Sequence, residues 1–251
     1  MDSTGPIWNS DYSAVFLPIL LTVIFYSLYW ATASSDRLKL WFGRNYEAES
    51  ANILHVLSKR TLGFILLGIV PLVTLMLFKQ DFALADAGVG FNPERSGFTI
   101  ISIILLSLII IPVISRSARK PEIMAVYPEI RAARWTNRMM LAETGSWAVY
   151  LLGYEVLFRG VLLFPLAGSI GSFPAIVINT ILYSAAHIPK GKTETLAAIP
   201  FGIVLCLLTL HSGTIWIAFI AHLVNAITMT FTAVKFNPGI AYASSEDRVP
   251  D

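Results

Sequence analysis

A glutamate and an arginine lie four residues apart inside the otherwise apolar stretch 147–166. Glu155 and Arg159 would share one helix face, with the acid on the N-terminal side, which is the more favourable order for an ion pair. An ionisable group at membrane depth costs roughly 2.5 to 3.5 kcal/mol on insertion scales, so it usually has a partner or a function. The spacing therefore predicts either an ion pair that fixes helix packing or one wall of a catalytic site.

Two further apolar stretches carry polar residues at helical spacing. Asn179, Tyr183 and His187 follow one another at intervals of four, and His222 and Asn225 are three residues apart. Each set forms one stripe on a helix, and lipid is the least favourable surrounding for such a stripe. We expect the stripes to face one another around an internal polar chamber. The alternative is an interfacial His187 together with two asparagines that make ordinary interhelical hydrogen bonds.

The composition predicts an integral membrane protein. Of the 251 residues 55% are hydrophobic and 14% charged, whereas soluble domains carry about 25% charged residues. We expect an all-α polytopic membrane helix bundle that forms a single membrane domain over residues 1–251. Residues 1–140 would supply N-terminal helices and loops, 141–234 a catalytic-type core of the last four helices, and 235–251 a mobile polar tail. Seven apolar stretches are candidates for crossing a hydrocarbon layer of about 30 Å: 13–31, 61–78, 98–114, 147–166, 173–187, 196–210 and 214–234.

The placement of lysine and arginine predicts an orientation for this bundle. Five basic residues lie in 36–60 and six in 116–138, but only two lie in 79–95. By the positive-inside rule this distribution favours an outside N-terminus and a cytoplasmic C-terminus. Residues 1–11 lack the basic start of a secretory signal peptide. The bacterial inner membrane is the expected location, and the endoplasmic reticulum fits the same pattern.

The basic segment 116–140 also contains isoleucine, methionine and tryptophan. This mixture predicts either a helix lying in the headgroup region, bounded by Pro121 and Pro128, or an ordinary cytoplasmic loop. Membrane orientation accounts for its basic residues, so we expect no nucleic-acid partner.

The three polar stretches resemble motifs of a family of membrane-embedded proteases, the CAAX prenyl endopeptidases and the bacteriocin-processing or abortive-infection proteins. The family motif Glu-Glu-x-x-x-Arg is matched by Tyr-Glu-Val-Leu-Phe-Arg at 154–159, and Phe-x-x-x-His by Tyr-Ser-Ala-Ala-His at 183–187. The motif His-x-x-x-Asn corresponds to His-Leu-Val-Asn at 222–225, where the amide comes one residue early. The chain departs from the family at the first glutamate, which is Tyr154 here, and at the phenylalanine, which is Tyr183.

The resemblance implies hydrolysis of a peptide bond by an activated water molecule, without a cofactor. Carried over to this chain, Glu155 would be the general base, helped by His187, and Arg159 would orient Glu155. His222 and Asn225 would donate hydrogen bonds to the developing alkoxide. The implied partners are the lipid bilayer and a peptide or membrane-protein substrate, cleaved near the C-terminus of a lipidated peptide in one version of this hypothesis.

Other functions stay open at this point. Tyr154, in place of the first motif glutamate, favours a non-catalytic membrane protein on the same scaffold that serves immunity, assembly or partner binding. Glutamate and histidine inside a membrane also mark transporters and proton relays, although no paired half-repeat of broken helices is present in the sequence. Two histidines and a glutamate are zinc ligands, but they lack His-Glu-x-x-His spacing, so we expect no metal.

Overall fold

The computed structural model describes residues 10–242, with side chains from residue 13 onward. The expectations for residues 1–9 and for residues 243–251 of the tail lie outside this described part. Within it, six helical runs are long and apolar enough to cross a membrane, as expected for an all-α polytopic bundle. They are Ser13–Asn45, Ala48–Phe78, Pro93–Ser117, Asn137–Ile170, Lys192–Ser212 and Trp216–Phe236.

The described part contains eleven α-helices and two short strands. The helices are α1 Ser10–Ala33, α2 Asp36–Asn45, α3 Ala48–Gly63, α4 Val70–Phe78, α5 Ser96–Ser117, α6 Pro121–Met124, α7 Asn137–Glu155, α8 Phe164–Ile170, α9 Ser172–Ala185, α10 Lys192–Ser212 and α11 Trp216–Phe236; the strands are β1 Arg134–Trp135 and β2 Ala241–Tyr242. Two π-helical segments, Phe64–Ile69 and Val156–Leu163, join α3 to α4 and α7 to α8. Single 3₁₀ turns lie at Pro93–Arg95 and Ile188–Lys190.

The predicted span 173–187 is a short helix, so the expected count of seven is not confirmed. Helix α9 has 14 residues and is about 21 Å long at 1.5 Å per residue, well short of a hydrocarbon layer of about 30 Å. It follows Gly171, whose φ of 87° lies in a region that side-chain-bearing residues rarely adopt. Because α9 stops early, His187 just beyond its end stays half-buried in the bundle.

The segment 36–60, expected as a basic loop, is almost entirely helical. It forms α2, whose first turn is capped by the Ser35 side chain, and most of α3. Arg60, counted among the loop residues from the sequence, is buried. The run continues through Phe64–Ile69 and crosses α7 with the two backbones in contact. A Cβ at Gly153 would lie 2.7 Å from the Phe64 Cα atom, so this crossing requires glycine.

The segment 116–140 does not form the interfacial helix that its composition suggested, because only Pro121–Met124 is helical between the end of α5 at Ser117 and the start of α7 at Asn137. Strand β1 pairs instead in parallel with β2. Trp135 is fully buried in a small cluster with Ile130 and Val234. Burial of this tryptophan holds the segment as a packed loop. Residues 241–242 of the tail that was predicted to be mobile form strand β2.

The span Asn137–Ile170 is the most enclosed helix of the bundle. In its most apolar window 78% of the residues are buried, against 17% in Pro93–Ser117. All eight residues of Val156–Leu163 are buried. This enclosure places Glu155 and Arg159 at the centre of the molecule, away from the lipid-facing surface.

Candidate active site

Glu155 and Arg159 form the ion pair that the sequence predicts. Both side chains are inaccessible to solvent, and Arg159 Nη1 lies 3.1 Å from Glu155 Oε2. Glu155 is the last residue of α7, and π-helical winding begins at Val156. The switch in winding changes the angular spacing of the side chains that follow, a distortion that is frequent at functional sites.

Three helices are joined by a chain of hydrogen bonds at this point. His222 Nδ1, on α11, lies 2.5 Å from Glu155 Oε1. His222 Nε2 lies 2.7 Å from the hydroxyl oxygen of Tyr183 on α9. A carboxylate only accepts, so Nδ1 carries the proton, and in the neutral imidazole Nε2 accepts from the Tyr183 hydroxyl. Glu155, His222 and Tyr183 therefore form a carboxylate–imidazole–hydroxyl relay inside the bundle.

His187 contacts this relay through a tilted ring–ring contact with Tyr183. Its Nδ1 donates to the backbone carbonyl of Tyr183 at 2.8 Å, and its ring centroid lies 4.7 Å from that of Tyr183. Within the described residues it makes no hydrogen bond to Glu155. The carboxylate of Glu155 is engaged by His222 and Arg159 instead of by His187.

Tyr154 forms an aromatic wall of the site. Its ring is buried, with its centroid 6.0 Å from the His222 ring, 6.1 Å from the Tyr183 ring and 4.7 Å from the Phe158 ring. A large ring thus occupies the position where the resembling family has its first glutamate. The carboxylate of the site comes from the neighbouring residue, Glu155.

The two asparagines of the stripes differ in their surroundings. Asn179 is fully buried, donates to the Phe158 carbonyl and accepts from Cys206 Sγ at 3.2 Å. It therefore fastens α9 and α10 to the π-helical segment that carries Arg159. Asn225 is half-buried, and its side chain makes no hydrogen bond within residues 13–242. Asn225 is three residues from His222 in the sequence, but its side chain has no hydrogen bond to the relay.

Close packing fixes the Tyr183 ring. The Arg159 guanidinium carbon lies 4.8 Å from the ring centroid, within the range of a cation–π contact. A Cβ at Gly202 would lie 2.8 Å from Tyr183 Cδ1. The missing side chain at Gly202 allows α10 to close over the ring, so the hydroxyl is held against His222.

A second buried ionic centre was missed from the sequence. Arg60 Nη1 and Nη2 lie 2.6 and 3.1 Å from Glu143 Oε2 and Oε1. Trp147 Nε1 and the Thr230 hydroxyl also donate to Glu143 Oε1, at 2.9 and 3.3 Å. Arg60 and Glu143 lie just outside the predicted apolar stretches, so neither was predicted as a site residue. The spacing of Glu143 and Trp147, four residues apart, was the one available signal.

Glu129, in the loop between α6 and β1, extends this second centre. Its Oε2 lies 3.1 Å from Lys59 Nζ and 3.5 Å from Arg60 Nη2. Burial raises the pKa of the Glu129 carboxyl group, but the charges of Lys59 and Arg60 outweigh burial. The net pKa is lower than the ordinary value of a glutamate.

The described residues contain no group of three or more His, Cys, Asp or Glu side chains positioned to hold a metal ion. The hydrogen bonds of His222 and the ion pair of Glu155 point to acid–base chemistry by the chain's own residues.

Residues 138–228 match the family model described as type II CAAX prenyl endopeptidase Rce1-like. Comparisons with curated proteins and with solved structures gave no match. The matched stretch contains Glu155, Tyr183 and His222, and it lies in an integral, multi-pass membrane protein. The family model thus agrees with the resemblance drawn from the motifs: residues 138–228 are similar to the Rce1-like type II CAAX prenyl endopeptidases.

Proposed function

We propose that this chain is an intramembrane peptidase that hydrolyses a peptide bond with water activated at the buried relay. The observation that carries the proposal is the relay itself, with contacts of 2.5 Å from Glu155 to His222 and 2.7 Å from His222 to Tyr183. It lies inside the Rce1-like segment, residues 138–228, so similarity to the family and acid–base geometry support the same chemistry.

In the proposed reaction, Glu155 holds His222 with Nδ1 protonated and stabilises the imidazolium that forms when Nε2 takes a proton. The Tyr183 hydroxyl occupies Nε2. It gives its own proton to Nε2 and takes one from the attacking water, so Glu155 acts on water through His222. The same path returns the proton to the leaving nitrogen. His187, which lies against the Tyr183 ring, stays a predicted helper of the general base, and Asn225 stays a predicted donor to the alkoxide.

The proposed substrate is a membrane-associated peptide, cleaved near the C-terminus of a lipidated chain. The name of the matching family supports this class, and a site enclosed by apolar helices suits a substrate that is itself embedded in lipid. We further propose the orientation that the basic residues favour, with an outside N-terminus and a cytoplasmic C-terminus, in a bacterial inner membrane.

The test is cleavage of a fluorescence-quenched peptide with a prenylated C-terminal cysteine motif by purified protein in phosphatidylcholine vesicles. Glu155→Gln and His222→Gln should each lower kcat by about a hundred-fold or more, since positioned acid–base groups contribute 10²- to 10⁴-fold. His187→Ala tests the predicted contribution of the His187 ring to activation of the water. Glu122→Gln, which neutralises an exposed carboxylate, is the matched control. Equal cleavage by wild type and by the Glu155 and His222 variants would show that these roles are wrong.

A second candidate function is a non-catalytic membrane protein on the same scaffold. Two observations favour it: Tyr154 stands at the first motif position, and both carboxylate oxygens of Glu155 are engaged, by His222 and by Arg159. In this case a deletion strain would be complemented as well by Glu155→Gln as by wild type. A failure of Glu155→Gln to complement, at equal protein abundance, would contradict this candidate.

A further inference from the structure

The Arg159 guanidinium is fully buried, yet none of its three nitrogens makes a hydrogen bond of normal geometry within residues 13–242. Its charge is paired with Glu155 Oε2 at 3.1 Å, and one face lies against the Tyr183 ring. A guanidinium presents five N–H donors in a rigid planar fork. Buried donors without acceptors are rare and costly in native proteins, so this group has binding capacity that the protein itself does not use.

Arg60 supplies an internal comparison for this feature. It is buried to the same degree, but its two Nη atoms donate to Glu143 and to the Ser146 hydroxyl, and only Nε is unpartnered among the described residues. The two buried arginines thus differ: both Nη atoms of Arg60 donate hydrogen bonds to side chains of the protein, and those of Arg159 do not. Arg60 therefore stabilises helix packing through its hydrogen bonds, whereas Arg159 lies beside the relay without them.

Several other buried polar groups at the site already donate hydrogen bonds to protein acceptors. His222 Nδ1 donates to Glu155, and the Tyr183 hydroxyl donates to His222 Nε2. Asn179 donates to the Phe158 carbonyl, and Cys206 donates to Asn179. Among the fully buried donors of this cluster, the three guanidinium nitrogens of Arg159 are therefore the ones without a hydrogen bond of normal geometry in the described part of the chain.

We propose that Arg159 is a catalytic residue, whose free N–H groups bind the carbonyl oxygen of the scissile peptide and stabilise the alkoxide that forms there. This inference rests on the proposed peptidase function and assigns to Arg159 a role beyond the orientation of Glu155. As the water oxygen bonds to the carbonyl carbon, the π electron pair moves onto the carbonyl oxygen. The water proton passes through Tyr183 to His222. When the alkoxide collapses, the C–N bond breaks and that proton goes to the leaving nitrogen.

The charges of the site suit this step. In the resting state Glu155 and Arg159 neutralise each other across 3.1 Å. When His222 becomes an imidazolium, Glu155 has a second cation at 2.5 Å, and the positive charge of Arg159 is no longer balanced by the carboxylate alone. The alkoxide forms at that same moment, so the buried site remains neutral overall. Pairing of developing charge with a preorganised donor is usually a large catalytic contribution.

The test compares two non-cleavable analogues of one prenylated peptide, a phosphinic peptide that carries the tetrahedral anion and a neutral hydroxyethylene isostere. Binding of each is measured by displacement of a fluorescent prenylated peptide from purified protein in detergent. Arg159→Lys keeps the charge but replaces the planar fork by a compact ammonium. We expect it to weaken phosphinate binding by about ten- to a hundred-fold, with little change for the neutral isostere, and to lower kcat by about a hundred-fold with a smaller effect on KM.

Two controls separate this role from packing. Arg60→Lys also alters a buried arginine and should lower Tm while leaving the phosphinate-to-isostere affinity ratio at its wild-type value. Arg159→Gln combined with Glu155→Gln removes both charges of the pair, so the fold is not left with an unpaired buried ion, and should lose the phosphinate preference. An unchanged ratio in Arg159→Lys, or binding of neither analogue by wild type, would overturn the inference.

The binding assay and the cleavage assay test the two proposals separately. A wild type that prefers the phosphinate through Arg159 but cleaves no peptide contradicts the peptidase function alone. A wild type whose cleavage depends on Glu155, with the same affinity ratio after Arg159→Lys, contradicts only the role of Arg159.

Discussion

Glu155 Oε1 and His222 Nδ1 lie 2.5 Å apart, although the two residues belong to helices α7 and α11. This contact joins the first and third motif regions of the Rce1-like segment. It also places the proton of the neutral His222 ring on Nδ1, because a carboxylate only accepts hydrogen bonds. The basic nitrogen of the imidazole therefore points to Tyr183, and the residue that replaces the motif phenylalanine becomes the end of the relay.

Tyr183→Phe is expected to keep the ring packing and remove the hydroxyl that contacts His222 Nε2. Activity should fall by about a hundred-fold, as is usual for loss of an acid–base group. Stability should change by only about 1 kcal/mol, the usual net value of one hydrogen bond. Cleavage kinetics with the quenched peptide, together with thermal melts, provide the measurement. Tyr46→Phe, at an exposed tyrosine, is the control; a Tyr183→Phe enzyme faster than wild type would show that the hydroxyl obstructs His222.

Tyr154→Phe should leave cleavage within about three-fold of wild type, a barrier change of roughly 0.6 kcal/mol. The reason is that Tyr154 contacts the site through its ring, against His222, Tyr183 and Phe158. Tyr154→Glu places the motif glutamate of the resembling family at this position. If wild type is inactive and Tyr154→Glu cleaves the peptide, the non-catalytic function is correct for the natural chain.

Glu143→Gln should destabilise the fold far more than it changes chemistry. It leaves Arg60 buried without its bidentate partner, and breaking a buried ion pair costs about 3–5 kcal/mol. A thermal or denaturant melt in detergent measures this loss, and the affinity for the neutral isostere should be unchanged in the folded fraction. Glu122→Gln on the surface should stay within about 0.5 kcal/mol of wild type. Equal stability of both variants would mean that the pair contributes nothing.

Gly153→Ala should weaken the contact between α7 and the segment Phe64–Ile69, since its Cβ would lie 2.7 Å from the Phe64 Cα atom. Forcing the two backbones apart should cost about 1–3 kcal/mol. Gly145→Ala, on the same helix with nothing within 4 Å of its Cβ, should instead stabilise by roughly 0.5–1 kcal/mol. Melting temperatures of the two variants should therefore move in opposite directions, and a shared direction would contradict the close crossing.

Glu129 should make stability depend on acidic pH. Lys59 and Arg60 hold the folded-state pKa of Glu129 below its ordinary value of 4.5. Its contribution is therefore fully present above the unfolded-state pKa and is lost as the pH falls through the folded-state pKa. A series of Tm measurements from neutral pH down to about pH 3 should show a steeper decline below about pH 4.5 for wild type than for Glu129→Gln. Parallel curves for the two proteins would show that the carboxylate is not held by these cations.

The sequence alone determined the membrane class, the three polar stripes and the similarity of residues 138–228 to the CAAX prenyl endopeptidases. Apolar runs near twenty residues long have few alternatives to spanning helices, and the i, i+4 spacing of Glu155 with Arg159 defines a shared face whatever surrounds the helix. Composition did not separate a short apolar helix from a span, so 173–187 was counted as a crossing. Residues 36–60 were treated as a connecting segment, because the polar helices that form there contain no long apolar run by which the sequence would reveal them.

Only the tertiary structure decided which partners meet. A helical stripe specifies a direction and leaves depth and rotation open, and these depend on the glycine contact at Gly153, the π-helical winding after Glu155 and the early end of α9. Together they bring Glu155 to His222 instead of to His187. They also bury Arg60 against Glu143, since the energy of a buried charge is set by partners far away in sequence.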